Sequence, residues 1–326
     1  MQNSQSTKTP LVSFIVTYHN EEIDMLKECL ESILTLSTPN EEREVIVIDD
    51  GSDKSPLDAL LSYGDNVIYL RKNNEGISTA RNLGLRTATG TFVQFIDGDD
   101  TLISSTYEHC LDIAIHGNAD VVAFDFTRRK ETDLNFKDSE PQSGCNLMRQ
   151  SNIQGASWLY LFRRSILGNL TFTPGISYGE DEEFTPQLLL RAEKVVCTSA
   201  KAYFYRQHEN SAITDKSQKG ITKRLDDNLI VIKSLKQKAD TLPVAERSAL
   251  MRRVAQLAMD HIYNVITLSR SDSRLKECLK ELQRCGLFPL PRRNYTLKYN
   301  LFRRMTNSPV GRKALLHTLP YLKRER

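Results

Sequence analysis

Two aspartates separated by one glycine, Asp97-Gly98-Asp99, follow directly after a strand-like run at 91–96. Carboxylates are hard oxygen ligands, and the glycine between them lets the backbone bring a diphosphate close to both. Mg²⁺ commonly binds one or two protein carboxylates and fills its other positions with water and substrate phosphates. A surface turn rich in aspartate is the alternative for a segment at a strand end. The residues alone favour these two interpretations equally.

Four consecutive acids, Glu180-Asp181-Glu182-Glu183, are the second group suited to chemistry. A carboxylate can take the proton that a hydroxyl nucleophile loses as it attacks. The same acids open a helix that the spacing predicts over 182–191, and acids in a first helical turn are stabilised by the helix dipole. A catalytic base and a set of helix-stabilising acids are therefore both open interpretations.

The elements that must hold these acids alternate between strands and helices. Runs rich in β-branched and aromatic residues predict strands at 11–18, 45–48, 67–70, 91–96 and 121–126. Helical spacing of apolar residues predicts helices at 22–36, 77–88 and 101–116. This alternation is typical of an α/β fold with a doubly wound, mostly parallel sheet. Ligands bind such sheets beyond the carboxyl ends of the strands, where residues 17–20, 49–53 and 97–100 lie.

The later part of the chain changes character. Residues 127–150 are polar and predict a loop or small hairpin, order resumes near Trp158, and short strands are predicted near Val195 and Tyr203. Residues 221–285 have helical spacing throughout. We therefore predict a polar N-terminal tail at 1–10, an α/β domain at 11–215 and a helical C-terminal region at 216–326. The long helices could pack on their own domain or form an oligomer with another subunit.

Composition excludes several classes of protein. Of the 326 residues, 40% are hydrophobic and 26% are charged, as in ordinary globular proteins. Apolar runs all fall short of the roughly 20 residues of a transmembrane helix, and Met1 to Pro10 lacks the pattern of a signal peptide. Six scattered cysteines without a CxxC pair are not a disulfide framework. We expect a cytoplasmic protein with reduced thiols.

Positive charge is concentrated at the end of the sequence. Residues 290–326 contain ten Lys or Arg and one acid, Glu325, interleaved with leucine, tyrosine and phenylalanine. Such a mixture suits an anionic membrane surface, which would place the protein peripherally at the inner face of the cell membrane. The alternative is a solvated helical tail that packs its apolar residues on the domain. Nucleic acid would be attracted by the same charges, but we do not expect it as a partner.

Six segments, taken in order, resemble the inverting bacterial glycosyltransferases of family 2, which have the GT-A fold. The segments are VSFIVTYHNE at Val12–Glu21, VIVIDDGSDKS at Val45–Ser55, NNEGISTARNLGLRTATG at Asn73–Gly90, FVQFIDGDD at Phe92–Asp100, GISYGEDEEF at Gly175–Phe184 and YFYRQHENSAIT at Tyr203–Thr214. Each is short, but their joint order and spacing are highly specific. The resemblance covers residues 11 to about 214 and implies a Rossmann-like nucleotide-sugar-binding sheet.

The resemblance implies a UDP-sugar donor and a divalent ion, Mn²⁺ or Mg²⁺. The residues that it places at the nucleotide-sugar are Thr17, Tyr18, Asn20, Asp49, Asp50, Asn73, Arg81, Asp97, Gly98, Arg206 and Ser211. Thr17 and Asp50 would contact uridine, with Asp50 accepting from a ring N–H. Arg81 has an alternative role as a structural partner of Asp50 or Asp97. Asp99 would be the chief metal ligand, with Asp97 at the ribose or the metal and His208 as a further ligand.

The resemblance also assigns the catalytic acids. Asp181 resembles the general base of the family, and Glu180 a neighbour that orients the acceptor. A single displacement opposite the diphosphate would invert the anomeric carbon. The expected acceptor is a hydroxyl of a glycan, lipid-linked and destined for cell-surface polysaccharide. A nucleotidyltransferase is disfavoured because VTYHNEE stands where such enzymes carry a glycine-rich phosphate loop, and an inactive sugar-nucleotide scaffold is disfavoured because both acidic groups are intact.

Overall fold

The computed structural model describes residues 9–129, 134–207, 217–293 and 296–322. Within them, eight strands form one sheet. The strands are β1 Val12–Tyr18, β2 Arg43–Asp49, β3 Ile68–Arg71, β4 Phe92–Asp97, β5 Thr101–Leu102, β6 Val121–Thr127, β7 Tyr160–Arg163 and β8 Val195–Phe204. Their order across the sheet is β3-β2-β1-β4-β7-β6-β8-β5.

Eleven α-helices accompany the sheet in the described residues. They are α1 Ile23–Leu34, α2 Leu57–Leu60, α3 Ile77–Thr87, α4 Ser104–His116, α5 Gly144–Gln150, α6 Glu180–Leu189, α7 Gln218–Asp240, α8 Val244–Asn264, α9 Asp272–Arg284, α10 Leu297–Asn307 and α11 Pro309–Leu322. None of these helices is both long enough and apolar enough to span a membrane.

The sheet is mixed but mostly parallel, which confirms the predicted α/β architecture. Strands β1 to β4 pair in parallel, as do β6 and β8, while β7 and β5 pair antiparallel with their neighbours. Every residue of β1 is buried, as expected for a strand at the centre of a parallel sheet.

The register of the central strands brings their carboxyl ends together. Thr17 of β1 lies beside Asp97 of β4, and Tyr18 lies beside Asp49 of β2. Both neighbours of β1 therefore deliver an aspartate to the same edge of the sheet. This edge holds the candidate site.

Some predicted boundaries were wrong because long-range pairing overrides the local pattern. Thr101 and Leu102 were predicted as helix but pair with Phe204 and Tyr203 of β8, and the helix begins only at Ser104. The two short strands predicted near Val195 and Tyr203 are one ten-residue strand, since β6 pairs with both parts across a register irregularity.

Two further elements were not predicted. The segment that was expected to be a loop or hairpin contains α5 and makes isolated bridges from Asp138 and Gln142 to β8. The short strand β7 follows Trp158 and joins β4 to β6. Neither segment is long or regular enough for its periodicity to be recognised.

The described chain forms two compact units. The first contains residues 9–129, 134–147, 154–176 and 180–207, and it includes the sheet. The second contains residues 148–153, 177–179, 217–293 and 296–322, and it includes the long C-terminal helices.

Helix α3 lies close against β1 because of Gly84. A β-carbon at this position would overlap Cγ2 of the fully buried Ile15. A β-branched side chain has little rotamer freedom with which to move away. Gly84 stands less than one helical turn from Arg81, so this close approach also sets the position of Arg81 over the edge of the sheet.

Substitution Gly84→Ala should therefore lower the free energy of unfolding by about 1–3 kcal/mol, as overpacked cores do. Helix propensity alone predicts the opposite sign, a gain of about 1 kcal/mol. Urea unfolding of the single variants and of Gly84→Ala in an Ile15→Ala background gives the coupling. The steric explanation requires Gly84→Ala to be less destabilising when Ile15 is truncated, and equal effects in both backgrounds would contradict it.

Candidate active site

The turn after β4 is shaped by Gly98. The Gly98 amide donates to the Thr17 carbonyl over 2.8 Å, and a β-carbon on Gly98 would lie 2.9 Å from that oxygen. The Asp100 amide donates back to the Asp97 carbonyl over 3.0 Å. Glycine is needed here for close approach of two backbones, and the turn presents Asp97 and Asp99 on either side of it.

Asp100, which the sequence analysis did not select, anchors this turn to β8. Its side chain is buried and accepts from the Tyr203 hydroxyl over 2.9 Å and from the Arg206 amide over 2.7 Å. Tyr203 in turn accepts from the Asp97 amide over 3.1 Å. Burial, together with the charges of Asp97 and Asp99, raises the pKa of Asp100 to about 9.

Aromatic rings support Tyr203 from behind. Trp158 stacks on Tyr203 with ring centroids 4.4 Å apart, and on Tyr205 with centroids 5.6 Å apart. Phe126 meets Trp158 edge to face at 5.4 Å. Trp158 therefore belongs to the aromatic packing that holds the β8 side of the turn.

Arg81 of α3 is the central cation of the site. One of its terminal nitrogens donates to Asp181 over 2.7 Å and to Glu180 over 3.1 Å, and the other donates to Asp97 over 3.0 Å. Of the two structural partners considered for Arg81, Asp50 and Asp97, the structure pairs it with Asp97. Burial opposes the charge, but attraction by the three carboxylates outweighs burial and raises the pKa of Arg81.

The guanidinium of Arg81 is enclosed by rings as well as acids. Its side chain is only 3% exposed and lies 5.4 Å from the ring of Phe172 and 5.8 Å from that of Phe95. Aromatic faces add attraction for a desolvated cation. The carboxylates and the aromatic rings together fix the position of the Arg81 guanidinium.

Glu180 and Asp181 begin α6 and share the charge of Arg81. Burial and the neighbouring charge of Asp181 raise the pKa of Glu180 to about 8. Burial also raises the pKa of Asp181, in spite of the opposing attraction of Arg81. Since one guanidinium faces three carboxylates, the pair retains a proton at neutral pH more readily than ordinary acids do.

At the end of β2 the two adjacent aspartates have different surroundings. Asp49 is fully buried and accepts from the Ser52 amide and the Tyr69 hydroxyl, each over 2.8 Å, so its carboxylate holds the loop that follows β2. Asp50 uses Oδ1 to accept from Lys72 Nζ over 2.6 Å and from the Glu75 amide over 3.0 Å. Lys72 was not predicted, although it follows β3 at the same edge.

Residues at the end of β1 and directly after it connect the strand-end loops. The Thr17 hydroxyl donates to Asp97 Oδ1 over 3.2 Å. Tyr18 is buried, and its hydroxyl donates to the Glu21 carbonyl over 2.8 Å. Asn20 has a φ of 64° and accepts from the Asp53 amide over 2.8 Å. Asn73 is exposed after β3.

Two more residues complete this edge. Glu21, another residue that was not selected, has its pKa raised to about 7 chiefly by burial, and Asp99 and Asp97 add to the effect. Arg206 donates from Nε to the Asp99 carbonyl over 2.8 Å and from a terminal nitrogen to Glu28 over 2.7 Å. The predicted residues His208 and Ser211 lie outside the described part of the chain.

The donor set at the β4 turn fits a divalent cation. Asp97 and Asp99 provide two carboxylates at a strand end. Within the described residues no group of three acidic, histidine or cysteine side chains forms a metal site on its own. A Mg²⁺-like ion needs only one or two protein carboxylates when water and phosphate fill its other positions, so the residues present suffice.

Comparison with known proteins identifies a family and several glycosyltransferases to which this chain is similar. The family described as Glycosyl transferase family 2 matches residues 13–171. EpsJ of Bacillus subtilis, an uncharacterized glycosyltransferase, is 28% identical over 220 residues, which are 62% of this chain and 62% of EpsJ. The poly(ribitol-phosphate) β-N-acetylglucosaminyltransferase TarS of Staphylococcus aureus is 28% identical over 200 residues, 59% of this chain and 34% of TarS.

Solved structures share the fold at low identity. TarS residues 1–349, crystallised with UDP-GlcNAc, match with a TM-score of 0.54 at 18% identity over 96% of this chain and 91% of that one. The mannosyltransferase PcManGT from Pyrobaculum calidifontis, in complex with GDP-Man and Mn²⁺, matches with a TM-score of 0.57 at 14% identity, covering 96% of this chain and 86% of that one.

The chain spans about three fifths of EpsJ and about a third of TarS. The matched residues 13–171 contain all but the first residue of β1, strands β2 to β4 and the Asp97-Gly98-Asp99 turn. The family match, the curated relatives and the shared fold agree with one another: residues 13–171 match glycosyl transferase family 2, and the chain has the GT-A fold.

Proposed function

We propose that the protein transfers a sugar from a UDP-sugar to a hydroxyl group of a glycan acceptor, with inversion at the anomeric carbon. The observation that supports this most strongly is that Arg81 forms ion pairs with acids on two separate elements. One guanidinium binds Asp97 at the end of β4 and Glu180 and Asp181 at the start of α6. A candidate donor site and a candidate base thereby stand on opposite sides of one buried cation.

The nucleoside would bind at the ends of β1 and β2. In the described part of the chain, both hydrogen bonds donated to the Asp50 carboxylate go to Oδ1. We therefore propose that Oδ2 accepts from the ring N–H of uracil, with Thr17 and Asn73 nearby. Crystals of the relative TarS 1–349 with UDP and with UDP-GlcNAc support a uridine nucleotide as the donor group.

A divalent ion, Mn²⁺ or Mg²⁺, would be held by Asp99 and Asp97, with His208 as a further ligand. Such an ion offsets the negative charge that develops on the departing diphosphate. The Mn²⁺ complex of PcManGT supports a metal-dependent donor site. In this arrangement Tyr203 and Arg206 keep the turn in place through Asp100 and the Asp99 carbonyl.

Asp181 would take the proton of the attacking hydroxyl. Its pKa is raised by burial, which makes it a stronger base than an ordinary aspartate. Arg81 holds its Oδ1 and so fixes the direction of the carboxylate. Glu180, with a pKa of about 8, would carry a proton at neutral pH, donate a hydrogen bond to the acceptor and leave Asp181 as the ionised partner.

The sugar would be a hexose or an N-acetylhexosamine, and the acceptor a lipid-linked or polymeric glycan of the cell surface. TarS is named for transfer of N-acetylglucosamine to poly(ribitol-phosphate), which supports this class of acceptor. Attack opposite the diphosphate in a single displacement would invert the configuration of the anomeric carbon without a covalent enzyme intermediate.

Asp99→Ala should remove metal-dependent binding of UDP. Loss of a group that merely orients a metal ligand typically costs 10–100-fold in affinity, so loss of the ligand should cost at least about tenfold. Calorimetry with UDP in Mn²⁺ and then in EDTA measures this directly.

Asp112→Ala is the matched control, since Asp112 is an exposed acid on α4. It should bind UDP as the unaltered chain does. UDP binding that persists undiminished in EDTA and in Asp99→Ala would contradict the metal site, and the absence of any UDP binding would contradict the uridine donor.

Asp181→Asn should lower kcat by about 10²–10⁴-fold, the usual contribution of a general base, while UDP affinity is kept. Hydrolysis of UDP-GlcNAc, in which water takes the place of the acceptor hydroxyl and UDP is released, provides the assay. In the unaltered chain, kcat/KM should rise with pH, because the base must be ionised. The midpoint should lie above that of an ordinary aspartate, since the pKa of Asp181 is raised.

Glu180→Gln separates the roles of the two acids. Glutamine resembles the protonated glutamate, so this variant should retain most activity at pH values below about 8. A loss in Glu180→Gln as large as that in Asp181→Asn, or full activity in Asp181→Asn, would contradict the assignment of the base.

A further inference from the structure

One face of α10 is left open in the second unit. Leu297 is 90% exposed and Leu301 is 61% exposed. Arg304 is exposed on the same face, one turn further, and the exposed Lys298 flanks it. Residues spaced by three and four positions lie on one side of a helix, so the two leucines and Arg304 form a continuous stripe. We call these four residues the α10 face.

The opposite side of α10 is packed, which fixes the direction of the α10 face. The Tyr299 hydroxyl donates to Asp260 of α8 over 2.8 Å. Phe302 meets Tyr263 edge to face at 6.1 Å, and Thr306 is fully buried. Because one side of the helix is anchored, the exposed leucines cannot turn inward without breaking these contacts.

The charge along the sequence of α10 and its neighbours has one sign. Among the described residues, 286–293 and 296–320 contain seven Lys or Arg and no acid. Helix α11 adds the exposed Lys313 and Val310, which is 78% exposed. Large apolar side chains in water are usually covered by a partner when they lie together. Here that partner must accept leucine and valine and must also neutralise several cations.

We infer that the α10 face binds an anionic lipid bilayer as an interfacial helix. Leucines would enter the boundary between headgroups and acyl chains, and Lys298 and Arg304 would lie among the acidic headgroups. A second copy of the chain fits poorly, because two such faces would bring cations together without an acid to pair with them. This inference goes beyond the proposed reaction and rests on no residue of the candidate active site.

Vesicle co-sedimentation of the full chain tests the inference. Phosphatidylcholine vesicles are compared with vesicles enriched in phosphatidylglycerol, at low and at high salt. Lys298→Gln with Arg304→Gln should weaken binding to the anionic vesicles by about 30-fold. Leu297→Gln with Leu301→Gln should weaken it by about tenfold or more, because apolar burial is lost while glutamine keeps the helix propensity.

Matched controls come from the same unit. Lys219→Gln with Lys280→Gln removes two exposed cations elsewhere, and Ile230→Gln with Val244→Gln removes two exposed apolar side chains. Both control pairs should bind anionic vesicles as the unaltered chain does. All variants change exposed positions, and circular dichroism checks that each one folds.

The inference is supported if the unaltered chain binds anionic vesicles in a salt-sensitive way and if binding is lost in both double variants of the α10 face but in neither control double variant. Equal binding to both kinds of vesicle, no binding to either, or equal losses in the control pairs would overturn it. A dimer in solution that Leu297→Gln with Leu301→Gln converts to a monomer would assign the face to a second copy instead. UDP binding is measured in parallel, so failure of this inference and failure of the proposed transferase reaction are distinguishable.

Discussion

The buried ion cluster around Arg81 is the interaction on which the site depends. Its three carboxylates come from Asp97, at the end of a central strand, and from Glu180 and Asp181, which lie about 100 residues away at the start of a helix. Burying so many charges is costly unless each is paired in good geometry. Removing the cation would leave three acids facing one another. The cluster therefore ties the donor edge of the sheet to the candidate base.

The rest of the first unit can be understood as support for this cluster. Gly84 lets α3 lie close to β1 and so places Arg81, while Gly98 lets the β4 turn approach the Thr17 carbonyl. From the other side, Tyr203 and the Arg206 backbone hold Asp100 and with it the turn. The candidate metal ligands thus stand on backbone that is fixed from both sides before any ligand binds, which is the preorganisation that electrostatic catalysis requires.

Much of the fold follows from local patterns, whereas much of the site does not. The central strands are continuous apolar runs, and their ends carry Asp49, Asp50 and Asp97, so both the parallel sheet and its acidic edge were predictable. Local periodicity contains no information on which distant groups meet. For that reason β5, the link from Tyr203 to Asp100 and the hydrogen bond by which Asp49 holds its own loop were missed. Lys72 and Glu21 were not predicted because a single polar residue beside a motif can have many roles.

The acids on the two sides of the site share one electrostatic environment through Arg81. Carboxyl ¹³C NMR of glutamate-labelled protein, with Glu180→Gln to assign the resonance, measures the pKa of Glu180 directly. We expect a midpoint near 8, which moves up in Arg81→Gln because an attractive charge is lost, and down in Asp97→Asn because a repulsive one is lost. A midpoint near the ordinary value of about 4.3, or one that neither substitution moves, would contradict it.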